Sequence, residues 1–102
     1  MRRPVQWSRA ALDDLEDQVL FIAREDPDSA ARVAGRVRDT AAALGEMATG
    51  RPGRVIGTYE KSITRLPYVI AYALMNHGGR QSVMILRVIH TVREWTAEEW
   101  PP

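Results

Sequence analysis

The sequence predicts a two-layer α+β domain of order β-α-α-β-β-β, with an αα-hairpin covering one face of an antiparallel sheet. Three observations predict it. Apolar residues recur at helical spacing through the first half of the chain. The period changes to two after a Gly- and Pro-containing loop at 48–54. Two β-rich apolar runs then follow, separated by Asn76-His-Gly-Gly-Arg80. With 102 residues the chain has the length of one domain, so 1–102 reads as a single unit.

Residues 3–7 alternate weakly, and Pro4 suits a short edge strand. Ser8 reads as an N-cap, with Asp13 and Asp14 early in the helix that follows. Leu12, Leu15, Val19 and Ile22 form one apolar stripe, and the helix is expected to end near Arg24, ahead of Asp26-Pro27. Pro27 suits the first position of a second helix, whose stripe is Ala30, Val33, Ala34, Val37, Ala41 and Leu44. Arg32, Arg36 and Arg38 lie off that stripe and read as a solvated face. A short connection makes the two helices an antiparallel hairpin.

Residues 55–63 read as a strand, with Tyr59, Lys61 and Ile63 on one face and Thr58, Glu60 and Ser62 on the other. Arg65-Leu66-Pro67 is a turn. Residues 68–75 are apolar on both faces, as a central strand requires. Residues 76–80 form a hairpin turn, and 82–89 a last strand, interrupted by Arg87 and ended by His90. The tail, about 94–102, carries a capping-box pattern from Thr96 to Glu99. Trp7 reads as core, and Trp95 and Trp100 as packing back onto the sheet edge.

Several function classes are excluded. The chain has no cysteine, hence no disulfide and no thiolate metal site. No apolar run approaches the ~18 residues of a membrane span, and the basic N-terminus lacks a signal-like apolar region. The expectation is a cytoplasmic protein without membrane contact. There is no GxGxxG, Walker A or HExxH pattern, and His77 and His90 are isolated, so neither a cofactor nor a metal is expected.

Charge is segregated behind a net value of +1. Residues 51–93 carry Arg51, Arg54, Lys61, Arg65, Arg80, Arg87 and Arg93 against one acid, Glu60, and the flanking segments are acidic. Such a segment suits an anionic partner. The open face of the sheet is expected to carry this basic set with Tyr59, Tyr68 or Tyr72 among it. Cations interleaved with aromatics neutralise phosphate and stack on bases. Arg51, Arg54, Lys61, Tyr68 and Arg87 are the candidate nucleic-acid contacts. Glu60, Arg65, His90 and Arg93 are the candidate catalytic set: a carboxylate and an imidazole to move protons, and guanidiniums to stabilise a phosphorane without metal. The plainer alternatives are a surface ion pair for Glu60, a structural role for His90, and an ion pair for Arg87, with Glu60 as the acid in view.

Four segments carry a family resemblance: Trp-Ser-Arg-Ala-Ala-Leu-Asp-Asp-Leu (7–15), Gly-Arg-Pro-Gly-Arg-Val-Ile-Gly-Thr-Tyr-Glu (50–60), Leu-Pro-Tyr-Val-Ile-Ala-Tyr (66–72) and Ile-Leu-Arg-Val-Ile-His (85–90). In this order they resemble the RelE/ParE superfamily of bacterial type II toxins. The resemblance implies a toxin held inactive by a cognate antitoxin. It also implies one of two activities: RelE-like cleavage of mRNA on the ribosome, or ParE-like poisoning of DNA gyrase without catalysis. The basic segment, His90 and Glu60 favour mRNA cleavage. The chain departs from the nucleases at Val69, where they carry a phosphate-binding Arg. Gyrase poisoning is the alternative, and an inactive relative that only binds is a third.

Overall fold

The computed structural model describes residues 2–91. Arg93, Trp95, Trp100 and the Thr96–Glu99 pattern lie outside them. Strand β1 (Val5–Trp7) runs straight into helix α1 (Arg9–Ala23). The Ser8 hydroxyl oxygen makes that junction. It accepts the Ala11 N–H at 3.1 Å and donates to the Leu86 carbonyl at 3.0 Å, capping the helix and tying it to the last strand. Helix α2 (Pro27–Glu46) opens on Asp26, whose carboxylate accepts from the Ser29 amide at 3.1 Å and the Ser29 hydroxyl at 2.7 Å. Those two bonds hold its carboxyl below the ordinary range. Pro27 stands where a missing N–H costs nothing.

The sheet is β1, then β5 (Arg80–His90), β4 (Tyr68–His77), β3 (Tyr59–Ser62) and β2 (Arg51–Pro52) in spatial order. The β4–β5 and β3–β4 pairs are antiparallel as expected, and β2 joins them antiparallel to β3. The first strand makes the sheet mixed, because Val5, Gln6 and Trp7 pair parallel to Val83, Met84 and Ile85. The helical hairpin intervenes between β1 and the later strands, so β1 reaches the sheet as a crossover rather than as part of a meander.

Three expected boundaries move. The strand read over 55–63 is confined to Tyr59–Ser62, because Val55–Thr58 closes on itself: the Thr58 N–H donates to the Val55 carbonyl at 3.1 Å. The loop read over 48–54 contains β2. At the hairpin, Asn76 and His77 continue β4, and only Gly78 and Gly79 turn, with φ of 56° and 81°. Two left-handed residues in succession fit the two-residue hairpin that follows strand twist.

Ala11, Leu15, Val37, Ala41 and Leu44 of the helices meet Tyr68, Ile70, Tyr72, Val83, Ile85 and Val88 of the sheet. β4 is the middle strand, and Tyr68 to Tyr72 are buried in succession, on both faces. In α1 the buried stripe is centred on Ala11 and Leu15, which leaves Leu12 43% exposed instead of buried. Trp7 and Val33 are partly buried against the core.

Helix α2 is closed against the N-terminal arm at Gly45, whose carbonyl accepts the Arg3 N–H at 2.7 Å. A Cβ at Gly45 would stand 2.6 Å from the Arg3 carbonyl oxygen and 2.9 Å from a Val5 methyl. Alanine ordinarily gains about 1 kcal/mol over glycine in a helix interior. Here the clash involves backbone and outweighs that gain. Gly45→Ala is expected to destabilise by about 1–3 kcal/mol, read as a lower urea midpoint with unchanged m-value.

Candidate functional site

Glu60 is the one charged side chain buried among the described residues, at 4% exposure. It stands on β3 opposite Arg51 of β2. Its Oε2 accepts from the Arg54 backbone N–H and from Arg54 Nε, both at 3.0 Å, and its Oε1 lies 3.4 Å from Arg51 Nη2. Arg51 Nη1 also donates to the Ser62 hydroxyl at 3.1 Å. Burial pushes the Glu60 carboxyl up, but the side-chain and backbone bonds from Arg54 and the charges of Arg54 and Arg51 outweigh it, and its pKa falls below the ordinary value. A carboxylate so held is a poor proton acceptor at neutral pH. What it does is fold the 51–58 loop around itself and fix two guanidiniums. The loop needs Gly50 for this: its φ is 135°, and a Cβ there would stand 2.6 Å from the Glu60 carbonyl oxygen.

Arg87 is paired with Asp14 of α1, and not with Glu60. Its Nε and Nη2 meet the two carboxylate oxygens at 2.7 and 2.8 Å, and Asp14 Oδ2 also accepts the Val88 N–H at 3.0 Å. Both side chains are about 15% exposed, at 15% and 14%. β1 covers β5 only as far as Ile85, which leaves the edge beyond it unpaired. Ser8 and Asp14 take over that edge, and Arg87 completes the clamp.

The aromatic residues lie on the opposite face from the Arg51–Glu60 cluster. Register puts Tyr59, Lys61, Tyr68, Ile70 and Tyr72 on the helix side, and Arg51, Glu60, Ser62, Val69 and Ala71 on the other. The expected interleaving of cations with tyrosines on one open face is therefore not formed. Tyr68 is 5% exposed, packs edge-on to His90 at 5.2 Å between ring centres, and lies 3.5 Å from Gln18 Oε1 through its hydroxyl. Burial raises its pKa. Tyr72 is 1% exposed, donates to the Thr49 carbonyl at 2.6 Å and stacks with Tyr59 at 5.5 Å. Glu60 and His90 are separated by two strand spacings and three residues, about 14 Å between backbones, and they point to opposite faces. One scissile phosphate cannot lie within hydrogen-bond reach of both.

Arg65 is exposed, at the β3–β4 turn, with φ of 65°. It is the one non-glycine residue with positive φ among those described, a conformation that costs about 1–2 kcal/mol. Arg36, read from sequence as a solvated residue, donates to the Thr64 carbonyl beside it and lines a shallow depression of about 420 Å³ with Lys61. The sequence pattern does not single it out, because Arg36 stands off the apolar stripe of α2 with Arg32 and Arg38. Arg65→Gly is expected to raise stability by roughly 0.5–1 kcal/mol in thermal unfolding, because glycine accepts the left-handed geometry.

Similarity to known proteins extends over most of the chain. The family described as "ParE toxin of type II toxin-antitoxin system, parDE" matches residues 5–95. A Sinorhizobium fredii protein named "Putative toxin Y4kP" is 37% identical over 95 residues, covering 92% of this chain and 94% of that protein. Among solved structures, a chain of the chromosomal ParDE toxin–antitoxin system from P. aeruginosa superposes with a TM-score of 0.78 at 20% identity, covering 87% of this chain and 96% of its own. A YoeB/ParE toxin from Agrobacterium tumefaciens gives 0.58 at 19% identity, with coverage of 85% and 97%. The two structures share the fold. The family match and the 37%-identical relative show that this chain belongs to the ParE toxin family of type II toxin–antitoxin systems.

Proposed function

We propose that the protein, when free of its antitoxin, arrests growth by binding DNA gyrase and not by cutting mRNA. The observation that carries this reading is the dispersal of the nuclease candidates. Glu60 and His90 face opposite sides of the sheet, Tyr68 is in the core, and Arg87 is engaged by Asp14. What remains outward-facing is a set of organised cations, Arg51 and Arg54 held by Glu60, with Arg65 at its turn. Such a set suits recognition of a macromolecule better than proton transfer. The test pairs two assays on the purified protein. Inhibition of supercoiling by purified gyrase, with translated reporter mRNA left intact in primer extension, supports the reading. Translation-dependent cuts with unaffected supercoiling overturn it and return the case to RelE-like cleavage.

A cognate antitoxin is the partner that holds the protein inactive. On α1, Leu12, Leu20 and Phe21 are 43%, 58% and 69% exposed. Leu12 and Leu20 line a groove rimmed by Arg9 and Arg38, with Glu16 its one acid. An acidic amphipathic segment matches both its apolar floor and its cationic rim. Leu20→Asp is expected to weaken antitoxin binding at least tenfold in calorimetric titration, about 1.4 kcal/mol, and to leave the unfolding midpoint unchanged.

A further inference from the structure

A second basic surface lies at the far end of the sheet, and neither the family assignment nor the proposed gyrase contact uses it. Arg2, Arg3 and Pro4 of the N-terminal arm, Glu46 at the end of α2, and Arg80 and Gln81 after the hairpin turn line an open cleft of about 620 Å³. From Ala71, level with Glu60, to His77 at the hairpin tip is six residues of β4, about 20 Å. That is twice the ~8–10 Å over which exposed charges interact at physiological salt, so the two basic surfaces are electrostatically separate.

The cleft is built on fixed backbone. The Arg3 N–H donates to Gly45 at 2.7 Å, and the Pro4 carbonyl accepts from Val83 at 2.8 Å. The arm is thereby clamped between α2 and β5. Arg3 donates through Nε to Gln81 Oε1, which holds the guanidinium plane and leaves its outer nitrogens unengaged by any described residue. Arg80 follows two left-handed glycines, and its side chain has no hydrogen-bond or ion-pair partner among the described residues. Arg2 has one exposed contact, 3.3 Å to Glu46. Three guanidiniums face one carboxylate.

The chemistry of the lining selects the ligand. Guanidinium forks match phosphate oxygens in bidentate geometry. A peptide partner needs apolar anchors in a desolvated pocket, and Pro4 is the one apolar side chain here. The lining holds no aromatic residue on which a splayed base would stack. Charge without anchors or stacking platforms is the character of a contact to the backbone of a duplex, where affinity comes from counterion release and no sequence is read. We infer that the Arg2–Arg3–Arg80 cleft is a sequence-independent binding site for the phosphodiester backbone of double-stranded nucleic acid.

The test is fluorescence anisotropy of the full chain against a labelled mixed-sequence DNA duplex of about 16 base pairs, titrated at several salt concentrations between 50 and 200 mM. The Arg2→Ala/Arg80→Ala double variant is expected to bind roughly tenfold or more weakly at 0.1 M salt. The slope of log K against log salt is expected to fall by about two units, one per lost phosphate contact. The loss is expected to be equal on duplexes of unrelated sequence. Both side chains are exposed, so an unchanged unfolding midpoint accompanies the loss, and lysine at both positions restores most of the slope. Affinity and slope unchanged in the alanine variant overturn the inference. So does a wild-type protein that binds a poly-glutamate peptide through these arginines and fails to bind the duplex.

Discussion

Replacing Asp14 with alanine is expected to destabilise the fold by about 3–4 kcal/mol. The carboxylate is only 14% exposed, receives two bonds from Arg87 and also accepts the Val88 N–H on an unpaired strand edge. Its removal leaves a guanidinium with little access to water and a backbone donor without a partner, and each is costly. In a domain of this size the loss corresponds to a melting temperature lower by about 15–25 °C. Arg87→Ala is expected to cost less, because Asp14 keeps its bond to the Val88 amide. The double variant is expected to be more stable than the sum of the single effects by at least about 1 kcal/mol. A shift of only a few degrees for Asp14→Ala would show that the pair does not hold α1 to the sheet. The prediction also separates two roles for Arg87. A phosphate ligand would lose activity on truncation with little change in stability, and a clamp loses stability first.

Arg87 also shows where the sequence stops being legible. The class and the order of the main elements follow from local pattern: the 3.6-residue stripe of α2, the two-sided apolar run of β4, and the alternation of Tyr59, Lys61 and Ile63 against Glu60 and Ser62. Each is short-range and survives folding. In β5 the pattern is ambiguous. A bulge after Ile85 shifts the register, so that Val83 and Ile85 face the helices and then Val88 does. Because residues on both sides of Leu86 and Arg87 are apolar, alternation cannot reveal the slip. The acid that meets Arg87 lies 73 residues earlier, on an element whose packing is set by that same register. The parallel pairing of β1 is equally non-local. For the site, charge placed Glu60, Arg51 and Arg54 in one basic segment, but their pairing depends on the β2–β3 register, in a stretch that reads as loop. The aromatic half of the expected constellation failed for a simple reason: the tyrosines of β3 and β4 share the parity of the core.

Glu60→Gln is expected to destabilise by about 2 kcal/mol, less than Asp14→Ala because Arg51 and Arg54 keep partial access to water. Glutamine preserves the volume and one acceptor. Its amide nitrogen, however, is a donor facing the donors of a guanidinium, and the second acceptor is lost. The pH dependence gives a sharper reading. The folded-state pKa of Glu60 is depressed, so its contribution is complete above its ordinary unfolded value and is lost as the pH falls through the depressed one. The wild-type protein is therefore expected to lose stability on acidification across the carboxylate range, and Glu60→Gln to lose less over the same interval. Urea midpoints of both proteins between pH 3 and pH 7 measure the difference, and the wild-type advantage is expected to narrow toward the acid end. The outcome also bears on mechanism. A general base would lose catalysis on amidation while the fold kept its stability. A carboxylate that organises Arg51 and Arg54 loses stability and loop geometry together, and toxicity falls as those two guanidiniums lose their orientation. A Glu60→Gln protein as stable as wild type but non-toxic would reinstate Glu60 as a proton acceptor and, with it, the nuclease reading.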